Sequence, residues 1–483
     1  MKKIFNNPAE LERLSKENFS VPPFLMMENA ARAMADFIIS KKVNSVYILC
    51  GKGNNGGDGY ALARLLSDTC QVCIYCLEKP ASEEAIIQAE MCQKLGVKIV
   101  TDFIIPQKVD AIVDCIYGTG FHGQLKDDIK NLLDTINNIA CLKIACDIPS
   151  GLYFKSDYTI TMGQEKTALY SDKAKAVCGQ IIVANLGLPR EKFESSLNPD
   201  AYLIEKEDLK LPLRKNPSAH KGTYGHTTVF TGSKAGAGII AASAALNSGS
   251  GLTTLLKTSA SDLEQFKISP QLMISSTIPE KTNAMVIGPG FSEENQKDLP
   301  IFTEWFNNSK EPAAVLDAGI FSLDEKCLFN LLEVLNKVQN AKVVLTPHLS
   351  ECSRLFSKVL KNHPDAKLND NDFSVSTLSS SAETKLKAGK IFSNLYPQIC
   401  LVIKSANTFI FYRGQTYICA DGCQSLAKGG SGDVLAGMIG SLLSQGYSAP
   451  EAAINAVEWH ALTSRKIGPE AYSLNPEKLI ENL

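Results

Sequence analysis

An excess of charge of either sign is missing from this chain: 49 Lys and Arg stand against 51 Asp and Glu over 483 residues, a net charge of -2. No run of like charges stands out. A surface that follows a polyphosphate backbone or lies on anionic lipid needs such an excess, so neither nucleic acid nor a membrane is expected as a partner. Long hydrophobic runs are lacking too. The least polar stretch, residues 236–256, is broken by Ser243, Asn247, Ser248 and Ser250, and residues 1–12 carry two lysines with no apolar segment behind them. Neither pattern reads as a spanning helix or an export signal, and a cytoplasmic location is expected. The fourteen cysteines are therefore read as reduced thiols, not as a disulfide framework. Cys70, Cys73 and Cys76 have a spacing suited to metal, but Val72, Ile74 and Leu77 run between and beside them, and a buried strand explains the pattern better.

What is present is material for packed cores, with 45% hydrophobic and 21% charged residues. The length is roughly three times the ~150 residues of an average domain, which excludes a single core. Residues 1–200 alternate between strand-like and helix-like segments, the pattern of a parallel sheet covered on both faces. Strands are predicted at 46–50, 71–76, 111–115, 143–147 and 180–185, and helices at 24–39, 59–66, 83–95 and 126–137. A charged, proline-bearing stretch after Leu188 reads as a linker. A second α/β series follows, with strands at 227–231, 252–256, 284–287, 314–317, 343–346 and 401–404. It closes with a hairpin (408–412 and 415–419) and helices at 431–445 and 450–465. The fold class is α/β in two domains, residues 1–204 and 205–483. In open α/β sheets, ligands sit beyond the carboxyl ends of the strands.

Residues 50–59 read C-G-K-G-N-N-G-G-D-G, directly after one strand and opening a helix. Gly51, Gly53 and Gly56 satisfy G-x-G-x-x-G, and Glu78 stands where a ribose-binding acid would in a dinucleotide fold, so a hydride-transfer enzyme is one reading. A plain Gly-rich turn accounts for the glycines. Neither reading uses Asn54, Asn55 and Asp58, which fill the turn with amide and carboxylate groups. Two further strand ends add oxygens: Asp114 opens D-C-I-Y-G-T-G-F-H-G, and Asp147 opens D-I-P-S-G with Ser150. Such an oxygen-only set suits a weakly dehydrated cation rather than zinc.

The order M-E-N-A-A (27–31), C-G-K-G-N-N-G-G-D-G, D-C-I-Y-G-T-G-F and D-I-P-S-G-L resembles the NAD(P)HX epimerase family, which has a Rossmann-like domain. The resemblance implies a substrate that is a nicotinamide cofactor hydrated at C6, whose two epimers are interconverted. It assigns substrate contacts to Asn54, Asn55, Gly56, Gly57, Asp58, Gly118, Thr119, Gly120, Phe121, His122, Gly123, Gln124 and Asp147. It assigns potassium to Asn55, Asp114 and Ser150. The C6 hydroxyl lies next to the ring nitrogen, so its loss gives a stabilised iminium and re-addition of water gives either epimer. Asp147 is the expected acid–base group.

From Lys428 the chain reads K-G-G-S-G-D-V-L-A-G. Backbone amides at a helix N-terminus stabilise anionic oxygens, so Gly429, Gly430 and Gly432 can approach a phosphoryl group while Asp433 faces the hydroxyl to be activated. With H-K-G-T-Y-G at 220, G-S-K-A-G-A-G at 232, G-P-G-F at 288, T-P-H-L-S-E at 346 and V-I-K-S-A-N-T at 402, the set resembles the NAD(P)HX dehydratases of the ribokinase-like fold. These enzymes phosphorylate the C6 hydroxyl with a nucleotide and then eliminate phosphate. The resemblance implies that Ala237, Gly290, His348 and Asp433 lie on the hydrated cofactor, with Asp433 as the catalytic base. Lys404, Ser405, Ala406, Asn407, Thr408 and Gly432 lie on the nucleotide. Mg²⁺ is expected with the nucleotide, held through water by Glu351, and ADP is expected before ATP as donor.

The chain departs from that family at Gly319, where a carboxylate is usual, at Gln271 and Ser350, and at Ser405, where glycine is usual. The function expected is repair of hydrated NADH and NADPH, by epimerisation in the first domain and nucleotide-dependent dehydration of the S epimer in the second. The expected partners are NADHX, NADPHX and the nucleotide donor, in a homo-oligomer. A small-molecule kinase of the hydroxymethylpyrimidine or sugar type with an N-terminal binding domain is the alternative.

Overall fold

Runs such as Ser45–Cys50 (SVYILC) and Ala111–Cys115 (AIVDC) are apolar at nearly every position, which suits strands covered by helices on both faces. In the computed structural model, which describes residues 1–104, 108–121, 123–360 and 370–483, they form the centre of such a sheet. Contacts divide the chain into two compact units, Lys3–Asp200, and Ala201–Leu483 with Met1–Lys2. The division falls after Asp200, four residues before the expected 204/205, because Ala201–Leu203 pairs with a strand of the second unit, Gln415–Cys419.

The first unit contains β1 (Lys2–Phe5), β2 (Ser45–Cys50), β3 (Gln71–Cys76), β4 (Lys98–Val100), β5 (Ala111–Cys115), β6 (Leu142–Cys146), β7 (Tyr158–Met162), β8 (Glu165–Lys166) and β9 (Gln180–Ala184). Its helices are α1 (Pro8–Phe19), α2 (Pro23–Ser40), α3 (Asn54–Leu66), α4 (Glu83–Lys94), α5 (Asp127–Asn137), α6 (Asp172–Lys175) and α7 (Arg190–Glu194). Seven strands make a parallel sheet in the order β4-β3-β2-β5-β6-β7-β9. Alternate residues of one strand serve two cores. Val46 and Ile48 pack with Ala30, Met34 and Ala61 of α2 and α3, whereas Tyr47 and Leu49 pack with Leu132 and Leu133 of α5. Strand order reverses between β2 and β5, so the crevice beyond their carboxyl ends is the place for a ligand.

The second unit contains β10 (Ala201–Leu203), β11 (His226–Thr231), β12 (Leu252–Lys257), β13 (Met273–Ser275), β14 (Ala284–Ile287), β15 (Ala313–Leu316), β16 (Lys342–Leu345), β17 (Ile399–Ile403), β18 (Thr408–Tyr412) and β19 (Gln415–Cys419). Its helices are α8 (Ala235–Asn247), α9 (Leu299–Asn308), α10 (Glu325–Lys337), α11 (Leu349–Val359), α12 (Val375–Ser380), α13 (Ala382–Leu395), α14 (Ser431–Ser444), α15 (Ala449–Ile467) and α16 (Pro476–Glu481). Its strands follow the order β13-β12-β11-β14-β15-β16-β17-β18-β19-β10. They are parallel through β17, and β18 runs antiparallel to both β17 and β19.

Two expectations are corrected. Helix α3 begins at Asn54, not at 59, so the polar Gly-rich run is its first turns. A Cβ at Gly56 would lie 1.9 Å from the Gly51 carbonyl oxygen, so only glycine lets the helix start this close to the strand end. The stretch read as a linker contains α7 and β10, five and three residues long, too short to show a period. Strand β7 had no counterpart in the sequence reading. Cys73 and Cys76 lie in β3 and Cys70 just before it, all as free thiols. Among the described residues no helix is long and apolar enough to cross a membrane.

Candidate active sites

In the first unit the carboxyl ends of β2, β5 and β6 bring Asn55, Asp114, Asp147 and Ser150 to one crevice. Asp114, fully buried, accepts hydrogen bonds from the Ile116 amide (3.1 Å), the Ser150 amide (2.8 Å) and Ser150 Oγ (2.7 Å). Burial pushes its pKa up to about 6, against the pull of those donors. Ser150 Oγ accepts in turn from the Tyr117 amide at 2.9 Å. A Cβ built on Gly118 would come 3.0 Å from Asp147 Oδ2 and 3.1 Å from Asn55 Oδ1, so the bare glycine is what lets these two polar groups converge. The Asn55 Nδ2 atom is buried without a hydrogen-bond partner.

Asp147 sits at the end of β6 with φ at 69°, a strained conformation for a residue with a side chain. Its Oδ2 accepts from the Thr119 amide and Oγ1, both at 3.1 Å. Its Oδ1 accepts from Thr161 Oγ1 (3.4 Å), the Met162 amide (3.3 Å) and the buried Lys166 ammonium. Burial works to raise its pKa, but Lys166 and these donors outweigh it and hold the carboxyl below its ordinary value. Asp58, the fifth residue of α3, goes the other way. Burial, then Asp147 and Glu12, raise its pKa well above the usual range. The two buried carboxyl groups are thus shifted in opposite directions, Asp147 towards the ionised form and Asp58 towards the protonated one, an arrangement that separates base from acid.

In the second unit the groups come from β15, β16, β17 and the start of α14. Lys404 Nζ lies 2.6 Å from Asp317 Oδ1, and a Cβ on Gly432 would meet Lys404 Nζ at 3.3 Å, so the cation lies against the helix N-terminus. Asp433, in the first turn of α14, has its pKa pushed up to about 7 by burial, then by Asp317, with Lys404 opposing. A base in that range is matched to neutral pH. His348 caps α11: its Nδ1 accepts from the Ser350 (3.1 Å) and Glu351 (3.4 Å) amides, while Nε2 lies 3.2 Å from Glu351 Oε1. Burial, and then Lys404, lower the histidine pKa, which favours the neutral ring. Burial pushes Glu351 up to about 7. A bridge between His348 and Lys404 sets these side chains at adjacent strand ends.

Two family models match the chain: YjeF-related protein N-terminus over residues 24–168, and NAD(P)H-hydrate dehydratase over residues 228–483, more than half of the length. The Helicobacter pylori protein "Bifunctional NAD(P)H-hydrate repair enzyme Nnr" is 36% identical over 498 residues, covering 100% of this chain and 99% of that one. The chain belongs to the family of bifunctional NAD(P)H-hydrate repair enzymes. A second member, from Dictyoglomus turgidum, is 30% identical over 489 residues, covering 92% and 89%. Among solved structures, an ADP/ATP-dependent NAD(P)H-hydrate dehydratase from Bacillus subtilis, co-crystallized with ATP/Mg²⁺, shows 24% identity and a TM-score of 0.43 over 56% of this chain and 91% of that one.

The remaining residues named from sequence fall as follows in this NAD(P)H-hydrate repair enzyme. Asn54, Asn55, Gly56, Gly57 and Asp58 open α3. Gly118, Thr119, Gly120 and Phe121 follow β5, with Phe121 stacked on Tyr117 at 4.4 Å, and Gly123 and Gln124 are exposed. His122 lies outside the described residues. Ala237 is in the first turn of α8, whose preceding residue Lys234 donates its amide to the Gly290 carbonyl at 3.0 Å. Ser405, Ala406 and Asn407 form the turn from β17 into β18, which Thr408 opens.

Ser405 is outside the left-handed region, so serine strains nothing there, and its Oγ accepts from the buried Lys385 Nζ at 2.9 Å. Gly319 has no room for a carboxylate, since a Cβ would lie 2.6 Å from Phe291 Cβ. Gln271 is exposed. A cavity of about 190 Å³ lined by Gly163, Leu186, Leu188 and Phe193 lies at the ends of β7 and β9, away from the carboxylates of the crevice. Sequence reading gave no ligand-facing role to Lys166, Thr161 or Glu12. The one local signal was a lysine set at the end of the strand-like run T-I-T-M.

Proposed function

We propose that the N-terminal unit interconverts the epimers of hydrated NADH and NADPH, and that the C-terminal unit returns the S epimer to the reduced cofactor. The observation that supports the first half best is the split carboxyl pair. Asp147, ionised, takes a proton from the incoming water. Asp58, protonated, supplies the proton that lets the C6 hydroxyl leave as water, and the ring nitrogen carries the intervening positive charge. General acid–base help of this kind is typically worth ~10²–10⁴-fold. Asn55, Asp114 and Ser150 each offer an oxygen, and Asn55 Nδ2 has no hydrogen-bond partner among the described residues, so nothing fixes the Asn55 side chain against turning its oxygen to a cation. These residues fit K⁺, which would supply positive charge that fixes the loops after β5 and β6.

In the C-terminal unit Asp433 takes the proton of the C6 hydroxyl as that oxygen attacks the terminal phosphorus of the nucleotide. The C6–O–P linkage forms, and the amides at the start of α14 stabilise the phosphoryl oxygens. Phosphate then leaves with a proton from the adjacent ring carbon, which restores the ring double bond. ADP is the preferred donor and ATP the second. Glu351 Oε2 already accepts from the His348 amide, so Glu351 would hold Mg²⁺ through water, where the ion would neutralise phosphoryl charge. The enzyme acts in the cytoplasm, as a homo-oligomer.

The test is to incubate the protein with mixed epimers of hydrated NADH and ADP or ATP, and follow recovery of the NADH absorbance band. Asp433→Asn should abolish recovery and leave epimer interconversion intact. Loss of both activities in a folded variant would sink the two-site reading.

A further inference from the structure

Lys166 belongs to none of the motifs that mark the first crevice, yet its side chain is only 2% exposed. A buried ammonium is costly unless it is paired and hydrogen-bonded. Its partners are Asp147 Oδ1 and, at 3.2 Å, the Met162 carbonyl. The lysine reaches them because β7 pairs beside β6, and the turn after Met162 brings β8 back to the end of both strands.

The surroundings of Asp147 are two-sided. Thr161, Met162 and Lys166 hold Oδ1, while Oδ2, among the described residues, accepts only from the Thr119 amide and hydroxyl and faces the gap over Gly118 where Asn55 Oδ1 also points. Three carboxyl groups face this lysine: Asp147 after β6, Asp58 on α3 and Glu12 on α1, with the Cys146 thiol 3.9 Å from Asp58 Oδ2. Lys166 bonds Asp147 alone among the three.

We propose that Lys166 is a positioning residue for epimerisation, whose ammonium fixes Asp147 Oδ1 so that Oδ2 is the one oxygen turned to the substrate. The proposal rests on the epimerase reading of the crevice. It also explains why Asp147 differs from its two carboxyl neighbours: the cation is bonded to Asp147 and lowers its pKa, whereas burial raises those of Asp58 and Glu12. The strained backbone of Asp147 fits the same role, since a carboxylate gripped from behind holds its residue at φ 69°.

The experiment uses the full chain with Lys166→Met, Lys166→Ala, Asp147→Asn and the double variant Asp147→Asn/Lys166→Met. Epimer interconversion of hydrated NADH is followed by NMR, and folding by circular dichroism and thermal melting. Lys166→Met should lower kcat by about 10²–10⁴-fold, the span of acid–base help, with KM changed only a few-fold. Its acid limb should move to higher pH, because Asp147 loses the charge that kept it ionised. Propylammonium should restore part of the activity of Lys166→Ala.

The double variant should be no slower than Asp147→Asn, since both changes remove one interaction. A wild-type kcat in Lys166→Met, or losses that multiply in the double variant, overturn the proposal. So does a loss with no pH shift and no amine rescue. If Lys166→Met fails to fold because Asp147 is left unpaired, the double variant, which removes both charges, decides by the same comparison with Asp147→Asn. Failure of the unmodified protein to interconvert epimers would instead remove the epimerase reading itself.

Discussion

The pH dependence of NADH recovery is the most direct probe of Asp433. Its pKa is pushed up to about 7 by burial first and Asp317 second. A carboxyl group with a raised pKa is a base only above that value, so activity is lost as pH falls through 7. The quantity to measure is kcat/KM, which reports the ionisations of the free enzyme. With a pKa of about 7 the ionised fraction is about 9% at pH 6 and about 91% at pH 8, so kcat/KM should rise roughly tenfold between them.

Asp317→Asn tests the cause. It removes a charge that raises the Asp433 pKa and frees Lys404, which lowers it, so both effects act in the same direction. The limb moves to lower pH and the pH 8 to pH 6 ratio shrinks. Glu351 also titrates at about 7. Glu351 is also a smaller cause of the raised Asp433 pKa, so Glu351→Gln should lower the rate and shift the limb slightly to lower pH without removing it. The assay is initial NADH recovery at subsaturating hydrated NADH and fixed ADP or ATP. A flat profile between pH 6 and 8, a limb that persists unshifted in Asp317→Asn, or one that vanishes only in Glu351→Gln would refute Asp433 as the base.

Epimerisation should depend on K⁺, and Asp114→Ala should weaken it and blunt the K⁺ response, read by titrating KCl against a constant ionic strength. Lys404→Ala should weaken nucleotide binding by about 1.5 to 3 kcal/mol, roughly 10- to 150-fold, while Ser405→Gly changes it little, as measured by calorimetric titration. Unchanged affinity in Lys404→Ala would place the nucleotide elsewhere. Gly319→Asp should not restore a family carboxylate but destabilise the unit by about 1–3 kcal/mol, since its Cβ overlaps Phe291, and a lowered melting temperature checks this.

Much of the fold was legible because its signals are local. Apolar runs such as 46–50 and 111–115 announce strands buried on both faces, and the glycines and oxygens that follow them mark where the chain turns towards a ligand. Asn55, Asp114, Asp147, Ser150 and Asp433 were named from such motifs, and the structure places the first four together because their strands are neighbours in the β2-β5-β6 part of the sheet. Strands β4, β7 and β10 and helix α7 were not seen: they are only three to five residues long and, unlike β5 or β14, are not buried at every position, so no continuous apolar run announces them.

Strand order and charge state were decided only by tertiary structure. No spacing in the sequence says that Asp317 and Lys404, 87 residues apart, meet at 2.6 Å; they do so because β15 and β17 flank β16 in one parallel sheet. Nor does any motif say that Lys166 bonds Asp147 while burial raises the Asp58 pKa, since a pKa follows from burial and from charges that arrive from other elements. The sequence determines which groups stand at the strand ends, through contacts within a few residues. Packing determines which of them are ionised and which oxygen each presents, because desolvation and pairing exist only once distant segments close around them.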